Sequence, residues 1–262
     1  MAEFDQITAS KAVLMEVANV LGAFRDDLVI VGGWVPALLY PRRGHMGSVD
    51  VDLAVAPTAL GGNVYQTIFR RMLEAGYTHK IDPTRFIKKV RGAPEPVKVD
   101  LISGQIQGGK KSTIIQVDEL QLSCLKGTDL AFDGCDEIEI AGQMPDGSRN
   151  VVRMQIVRPE IFILLKAFAL DERTKFKDAY DIAFILHNFE PNLMTLADRL
   201  RPHVAKGLGR EALEILRNKF ASIDSVGPDW AAQAMPGTGD YEQPRRAAFE
   251  DAQELFRLVG LD

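Results

Sequence analysis

The stretch SVDVDLAV, residues Ser48–Val55, decides how the rest of the chain is interpreted. Valine or leucine occupies every second position from residue 49 onward, which is the pattern of a half-buried β-strand. The intervening positions include Asp50 and Asp52, which such a strand directs to one face, about 7 Å apart. Like charges this close repel each other, so the pair predicts either a well-solvated face or a bound cation.

A third acid occurs on a later strand candidate. The stretch VKVDLIS, residues 97–103, carries Asp100 between valine and leucine. If this strand lies beside the Asp50–Asp52 strand, three carboxylates converge. Oxygen ligands of this kind suit Mg²⁺, and two such ions about 4 Å apart can clamp the attacking and leaving oxygens of a phosphoryl-type transfer. The alternative for each motif alone is a solvated strand face, which is how we interpret Glu137 and Glu139 in DEIEIAG.

A glycine pair precedes the first acidic strand. In VIVGGWVPALL, Gly32 and Gly33 follow a short apolar strand and precede a helix. Glycines at such a position let the backbone approach a ligand closely, and the start of a helix offers N–H groups to an anion. The alternative is an ordinary tight turn before a helix.

The pattern of the chain changes near Arg158. Before it, helices alternate with strand candidates, including Tyr77–Lys80 and RFIKKV (residues 85–90); after it, the pattern is helical throughout. We therefore predict an α/β domain over residues 1–157 and a helical C-terminal domain over 158–262. The first helix is expected to begin at an N-cap on Thr8 or Ser10.

Two helices of the C-terminal half carry charges at notable positions. Lys166 lies inside the apolar stretch EIFILLKAFAL, where a lysine must extend its ammonium to solvent or find a partner. A second helix, expected to be capped at Thr174, carries Asp178 and Asp181 on one face. Lys177 is four residues from Asp181 and is predicted to pair with it, an arrangement common on solvated helices.

Composition excludes several classes of protein. The chain has 262 residues, a net charge of −5, two cysteines and four scattered histidines, so it offers neither a disulfide framework nor a zinc cluster. Its polar N-terminus and its short apolar stretches predict a cytoplasmic protein that makes no membrane contact. A local basic segment, residues 80–111, holds eight Lys or Arg against three Asp or Glu. It is interpreted either as a phosphate-backbone groove or as a lysine-decorated edge strand.

The order of these motifs resembles the nucleotidyltransferase superfamily related to DNA polymerase β. The resemblance implies an α/β (α+β) nucleotidyltransferase core with a mixed sheet, followed by an all-helical C-terminal domain. It also implies a set of site residues. The triphosphate of an NTP would be held by Gly32, Gly33 and Ser48, and two Mg²⁺ ions by Asp50, Asp52 and Asp100, with Asp100 helping to deprotonate the acceptor.

The motifs GGW, SVDVDL and KDAYDI together are similar to the AbiEii/AbiGii-type nucleotidyltransferases, toxins of type IV toxin–antitoxin and abortive-infection systems. This resemblance implies that Lys166 and Lys177 contact the NTP and that Asp178 or Asp181 orients Lys166 or the base. It implies NMP transfer to an RNA acceptor, tRNA in particular, and a cognate antitoxin as partner. Two alternatives stay open: transfer to a small molecule such as an antibiotic hydroxyl, and a non-catalytic binding protein that keeps the fold.

Overall fold

The chain forms two compact units. The computed structural model describes residues 4–61, 63–79, 82–104, 113–117, 120–205, 207–237 and 239–261. The first unit comprises Met1–Leu38 and Gly47–Arg158, and the second comprises Leu39–Met46 and Pro159–Asp262. The second unit therefore takes in eight residues from the N-terminal half, between the glycine turn and the acidic strand. No sequence pattern marks these eight residues as part of the second unit, and the predicted split at 157/158 did not include them.

The first unit is built on one mixed sheet of eight strands. The strands are β1 (Leu28–Val31), β2 (Val51–Val55), β3 (Arg85–Lys88), β4 (Val97–Ser103), β5 (Thr113–Val117), β6 (Leu120–Cys124), β7 (Cys135–Gln143) and β8 (Arg149–Val157). Their order across the sheet is β5-β6-β4-β2-β1-β8-β7, and β3 pairs with β4 beside that path. The predicted mixed sheet is therefore present. Strand β2 lies near its middle, antiparallel to β1 and parallel to β4.

Helices of the first unit pack around this sheet. They are α1 (Gln6–Val20), α2 (Val35–Leu39), α3 (Pro57–Leu60), α4 (Asn63–Glu74) and α5 (Leu130–Asp133). Helix α1 presents its buried residues to β7, β8 and β4. The expected N-cap at Thr8 or Ser10 is wrong, because Asp5 caps the helix by accepting a hydrogen bond of 2.7 Å from the Thr8 backbone N–H. The short 3₁₀ turn Gly32–Trp34 connects β1 to α2.

Several strand predictions need correction. The acidic strand begins at Val51, not Ser48, because β1 ends at Val31 opposite Asp52 and leaves the earlier residues without that ladder partner. Val49 is exposed and so departs from the alternation of the sequence. The expected strand at Tyr77–Lys80 is reduced to one bridge, between Thr78 and Ile87, and its end at residue 80 lies outside the described residues. Strands β5 and β6 come from a stretch whose pattern is irregular.

The second unit is helical apart from the short inserted segment. Its helices are α6 (Pro159–Glu172), α7 (Phe176–Asn188), α8 (Leu193–Val204), α9 (Gly207–Lys219), α10 (Val226–Ala234) and α11 (Glu242–Val259). Helix α7 packs against α6, α10 and α11. The predicted cap at Thr174 is wrong: the N-cap is Lys175, and its side chain makes no capping hydrogen bond. In the described residues of both units, no helix is long and apolar enough to cross a membrane.

Candidate active site

Two of the three predicted acids are neighbours in the sheet. Asp52 on β2 and Asp100 on β4 are direct register partners in the parallel pair, so their side chains leave the same face of the sheet. Both residues are half-buried, whereas Val51 and Val99, on the opposite face, are fully buried. Asp50 immediately precedes β2 and is also half-buried. The sheet therefore brings acids from two separate stretches of sequence close together. We call this part of the sheet the acid face (Asp50, Asp52 and Asp100).

The glycine turn packs directly on the acid face. Gly32 has a φ of 69°, in the left-handed region, and a Cβ added to it would lie 2.0 Å from Asp52 Oδ2. Any other L-residue would carry backbone strain and would also displace the carboxylate. Gly32 is thus required twice, once by the turn and once by Asp52. The predicted helix after the turn exists, but α2 has only five residues.

Asp100 is held by an arginine that the sequence analysis did not single out. Arg85 on β3 is the register partner of Asp100 in the antiparallel β3–β4 pair. Its Nε donates to Asp100 Oδ1 at 2.6 Å, and its Nη2 donates to Asp100 Oδ2 at 2.9 Å. These hydrogen bonds raise the pKa of Arg85 against desolvation, and the charges of Asp82 and Asp50 act in the same direction. The signal for Arg85 in the sequence was its position at the start of the strand candidate RFIKKV.

Asp50, Asp52 and Asp100 fit Mg²⁺ by their chemistry. They offer only carboxylate oxygens, as this ion prefers, and Asp100 already binds a cationic group. Their side chains do not form a ready-made ligand cage: in the described part of the chain, no group of three or more His, Cys, Asp or Glu residues is placed to hold a metal ion. A metal ion bound by Asp100 would meet the guanidinium of Arg85, which already contacts both carboxylate oxygens.

Ser48 lies just ahead of the acid face. Its side chain is buried, and it follows Gly47, whose φ is 77°. Gly33 is also buried, in the 3₁₀ turn. Contacts of Gly32, Gly33 and Ser48 with a triphosphate stay predictions.

In the second unit, Lys166 is the centre of a buried ion cluster. Its residue exposure is 6%, and its Nζ lies 2.6 Å from Asp178 Oδ1 and 2.7 Å from Asp181 Oδ2. The lysine therefore does not extend to solvent, which was one of the two options. Helix α6 supplies the ammonium, and one face of α7 supplies both carboxylates, as the three-residue spacing of Asp178 and Asp181 predicted.

Two more cations complete this ion cluster (Lys166, Arg173, Lys177, Asp178 and Asp181). Arg173 Nε lies 2.8 Å from Asp178 Oδ2, and Lys177 Nζ lies 2.6 Å from Asp181 Oδ1. The predicted Lys177–Asp181 pair is thus present, but the expectation of a solvated pair is wrong, because the Asp181 side chain is fully buried. Three cations face two carboxylates, so the cluster keeps an excess of positive charge.

The ion cluster shifts the pKa values of its members. Burial alone would lower the pKa of Lys166, but the charges of Asp181 and Asp178 and their hydrogen bonds raise it. Burial alone would raise the pKa values of Asp178 and Asp181, but Lys166 and the other donors hold both below their usual range. Desolvation lowers the pKa of Lys177 despite its pairing with Asp181. Asp178 and Asp181 are therefore ionised at neutral pH.

His45 joins the same cluster and was missed by sequence reasoning. Its Nε2 lies 3.0 Å from Asp181 Oδ1, and its ring stacks on Tyr180 with centroids 5.1 Å apart and meets the edge of Phe184 at 4.7 Å. Desolvation lowers the pKa of His45 more than the hydrogen bond to Asp181 raises it. A neutral ring must then donate from Nε2, since a carboxylate only accepts. The sequence showed a lone histidine in the PRRGHMG loop, with no periodicity to connect it to α7.

The basic segment is less uniform than its sequence indicates. Arg85 is paired with Asp100, and Lys88 Nζ lies 2.9 Å from Glu16 Oε2 in a half-buried pair. The exposed basic residues in the described part of the segment are Lys89, Arg91 and Lys98, while Lys80, Lys110 and Lys111 lie outside the described residues. In the described part of this segment, three exposed cations are therefore available to bind a phosphate backbone.

The motifs of both units belong to one known family. The profile described as "Nucleotidyl transferase AbiEii toxin, Type IV TA system" matches residues 14–255, nearly the whole chain. A comparison with curated proteins finds no significant match. The chain belongs to the AbiEii family and is a nucleotidyltransferase, in a family of toxins of type IV toxin–antitoxin systems.

Proposed function

We propose that this AbiEii-family nucleotidyltransferase transfers NMP from an NTP to a hydroxyl of an RNA acceptor, in a Mg²⁺-dependent reaction. The observation that carries the proposal is the register pairing of Asp52 with Asp100, with Gly32 packed against the Asp52 carboxylate. An NTP bound at this turn would have its phosphates next to two acids from different strands. The bond between the acceptor oxygen and the α-phosphorus would form as the α–β phosphoanhydride bond breaks.

The acid face would hold the metal ions of this reaction. Asp50, Asp52 and Asp100 would be the ligands, and Mg²⁺ bound there would supply positive charge to the reacting phosphate. Gly32, Gly33 and Ser48 would orient the triphosphate through a turn that admits no larger side chain at Gly32.

By the family resemblance, Lys166 and Lys177 would contact the phosphates of the NTP. Lys166 is fixed by two carboxylates and so has a defined position, which matters because electrostatic stabilisation requires preorganised charge. Lys177 is assigned to direct NTP contact by the same resemblance, and its side chain is 20% exposed. Asp178 and Asp181 are positioning residues in this scheme.

An RNA acceptor is supported by the charges beside the acid face. Lys98 and Asp100 are two residues apart on β4 and leave the same face of the sheet, about 7 Å apart along the strand. Lys98 is exposed, and so are Lys89 and Arg91 after β3. A phosphate backbone that meets these cations would lead its hydroxyl toward the acids. As a family toxin, the protein is expected to have a cognate antitoxin protein as partner.

The test of the acceptor is an RNA-labelling assay with charge-reversal variants. The full chain is incubated with Mg²⁺, each α-labelled NTP in turn, and total bacterial RNA; we expect label in the tRNA size range. Lys98→Glu should weaken labelling several-fold and reduce its dependence on salt, because one phosphate contact is lost. Arg149→Glu makes the same charge change on β8, three strands away from β4 in the sheet, and should leave labelling unchanged.

Equal labelling by the two charge-reversal variants would contradict an RNA path over β4. If no RNA is labelled at low salt, yet pyrophosphate is released with a small-molecule pool, the antibiotic-type alternative replaces the RNA proposal.

A further inference from the structure

We infer that Arg85 is a positioning residue that serves as the internal counter-ion of Asp100 and competes with divalent metal for this carboxylate. The inference rests on the proposed function, because it assumes that the acid face binds metal. It adds a residue and a metal-free state that the three-acid scheme does not contain. In that state Arg85 fixes the orientation of the Asp100 carboxylate; in the metal-bound state the guanidinium gives up at least one carboxylate oxygen.

The geometry of the pair uses both carboxylate oxygens at once. Arg85 and Asp100 lie directly opposite each other on β3 and β4, and the two hydrogen bonds of 2.6 and 2.9 Å go to different oxygens. This two-pronged arrangement is the strongest form of the arginine–carboxylate pair. A metal ion at Asp100 needs one of the same oxygens, so the ion and the guanidinium compete.

A second cross-strand pair on the same sheet shows what an ordinary surface contact looks like. Arg153 on β8 and Glu139 on β7 are also register partners, but their contact is 3.4 Å long and their side chains are 61% and 59% exposed. For Arg85 and Asp100 the corresponding exposures are 34% and 18%. Exposed pairs of the Arg153 kind contribute little to stability. The Arg85–Asp100 contact is shorter and more buried than this surface pair, and it lies at the acid face. We therefore infer that it does more than stabilise the pairing of β3 with β4.

Charge explains why a cation is needed at this position. Asp50 and Asp82 add negative potential at Arg85 besides that of Asp100. Without Arg85, the acids at this face repel one another until a cation arrives. Removing the guanidinium should therefore destabilise the metal-free protein slightly and should strengthen metal binding.

The test measures binding of Mn²⁺, a paramagnetic substitute for Mg²⁺, to the full chain by electron paramagnetic resonance. Arg85→Gln should bind Mn²⁺ about tenfold more tightly than wild type, equivalent to about 1.4 kcal/mol. Arg153→Gln, the matched control, should bind as wild type does, and Asp100→Asn should bind more weakly. Arg85→Lys retains the charge without the two-pronged contact and should give an intermediate affinity, so it keeps the test decisive if Arg85→Gln fails to fold.

Two outcomes overturn the inference and separate it from the proposed function. If Arg85→Gln or Arg85→Lys binds Mn²⁺ no more tightly than wild type while Asp100→Asn binds more weakly, the metal site stands and Arg85 is not its competitor. If wild type and all variants bind no Mn²⁺ at millimolar concentrations, the metal-dependent part of the proposed function fails together with this inference.

Discussion

Lys166 shows at the scale of a single residue how a charge is accommodated in an apolar helix. Its ammonium is shared by two carboxylates of α7, and each of those carboxylates has a further cation, Arg173 or Lys177. Burying a charge is costly unless it is paired and hydrogen-bonded, and here every member of the cluster is paired. Removal of Lys166 leaves Asp178 and Asp181 buried without the ammonium that they share.

We predict that Lys166→Met lowers the free energy of unfolding by about 3 kcal/mol, because a buried ion pair loses one partner. Combined with Asp178→Asn, it should cost less than the sum of the two single changes, since the variants share one contact. Urea denaturation of the two single variants and the double variant gives this cycle.

A matched control for this cycle is available in the same unit. Lys219 lies 3.0 Å from Asp171, but the two side chains are 27% and 52% exposed. Lys219→Met should cost less than about 1 kcal/mol, as exposed pairs do. If Lys166→Met were as mild as Lys219→Met, or additive with Asp178→Asn, the buried cluster would not be energetically coupled.

Among the elements, the 3₁₀ turn after β1 packs against strand β2, and the Asp52 side chain lies at this contact. Alternation in the sequence predicted β4, because one face of that strand is buried. The same reasoning did not find β5, which has no buried face, or β6, whose alternation spans only five residues. It also could not show that Arg85 faces Asp100, since the β3–β4 register depends on pairing across a loop rather than on either strand alone.

Gly32→Ala should lower stability and activity more than replacement of a glycine of positive φ that has no close neighbour. The added methyl carbon would lie 2.0 Å from Asp52 Oδ2, so the carboxylate must move in addition to the backbone strain. We expect nucleotidyl transfer to fall by at least about tenfold, and stability to fall by more than the roughly 1–2 kcal/mol of left-handed strain alone.

Gly260→Ala is the control for this prediction. Gly260 has a φ of 74° at the end of α11, and an added Cβ would have no atom within 4 Å. It should show the backbone cost alone, with activity unchanged. Equal losses of stability and activity in the two variants would mean that the contact between Gly32 and Asp52 is unimportant.

At the scale of the whole molecule, the candidate site residues are divided between two compact units. The acid face belongs to the first unit, whereas the ion cluster with His45 belongs to the second. The segment Leu39–Met46 is part of the second unit although both its neighbours in sequence belong to the first. Sequence motifs identified the acids and the Lys166 helices, but an excursion of eight residues has no periodic signature. The contact of His45 with Asp181 could therefore not be predicted from the sequence.

The net charge of −5 makes the whole chain a poor ligand for RNA, so any such binding must be local. The acid face itself adds negative charge, which Arg85 offsets in part. Because the acid face repels phosphates and Arg85 offsets only part of its charge, RNA labelling measures the function more directly than RNA affinity does.

If the acid face directs nucleotidyl transfer, the phosphate that reaches the acceptor must be the α-phosphate of the NTP. The full chain is incubated with Mg²⁺, total bacterial RNA and the preferred NTP, labelled at either the α- or the γ-phosphate. We expect α-label in the RNA, γ-label only in pyrophosphate, and loss of both products in Asp52→Asn while the variant remains folded. Transfer of γ-label to the acceptor, or undiminished transfer by Asp52→Asn, would contradict this expectation.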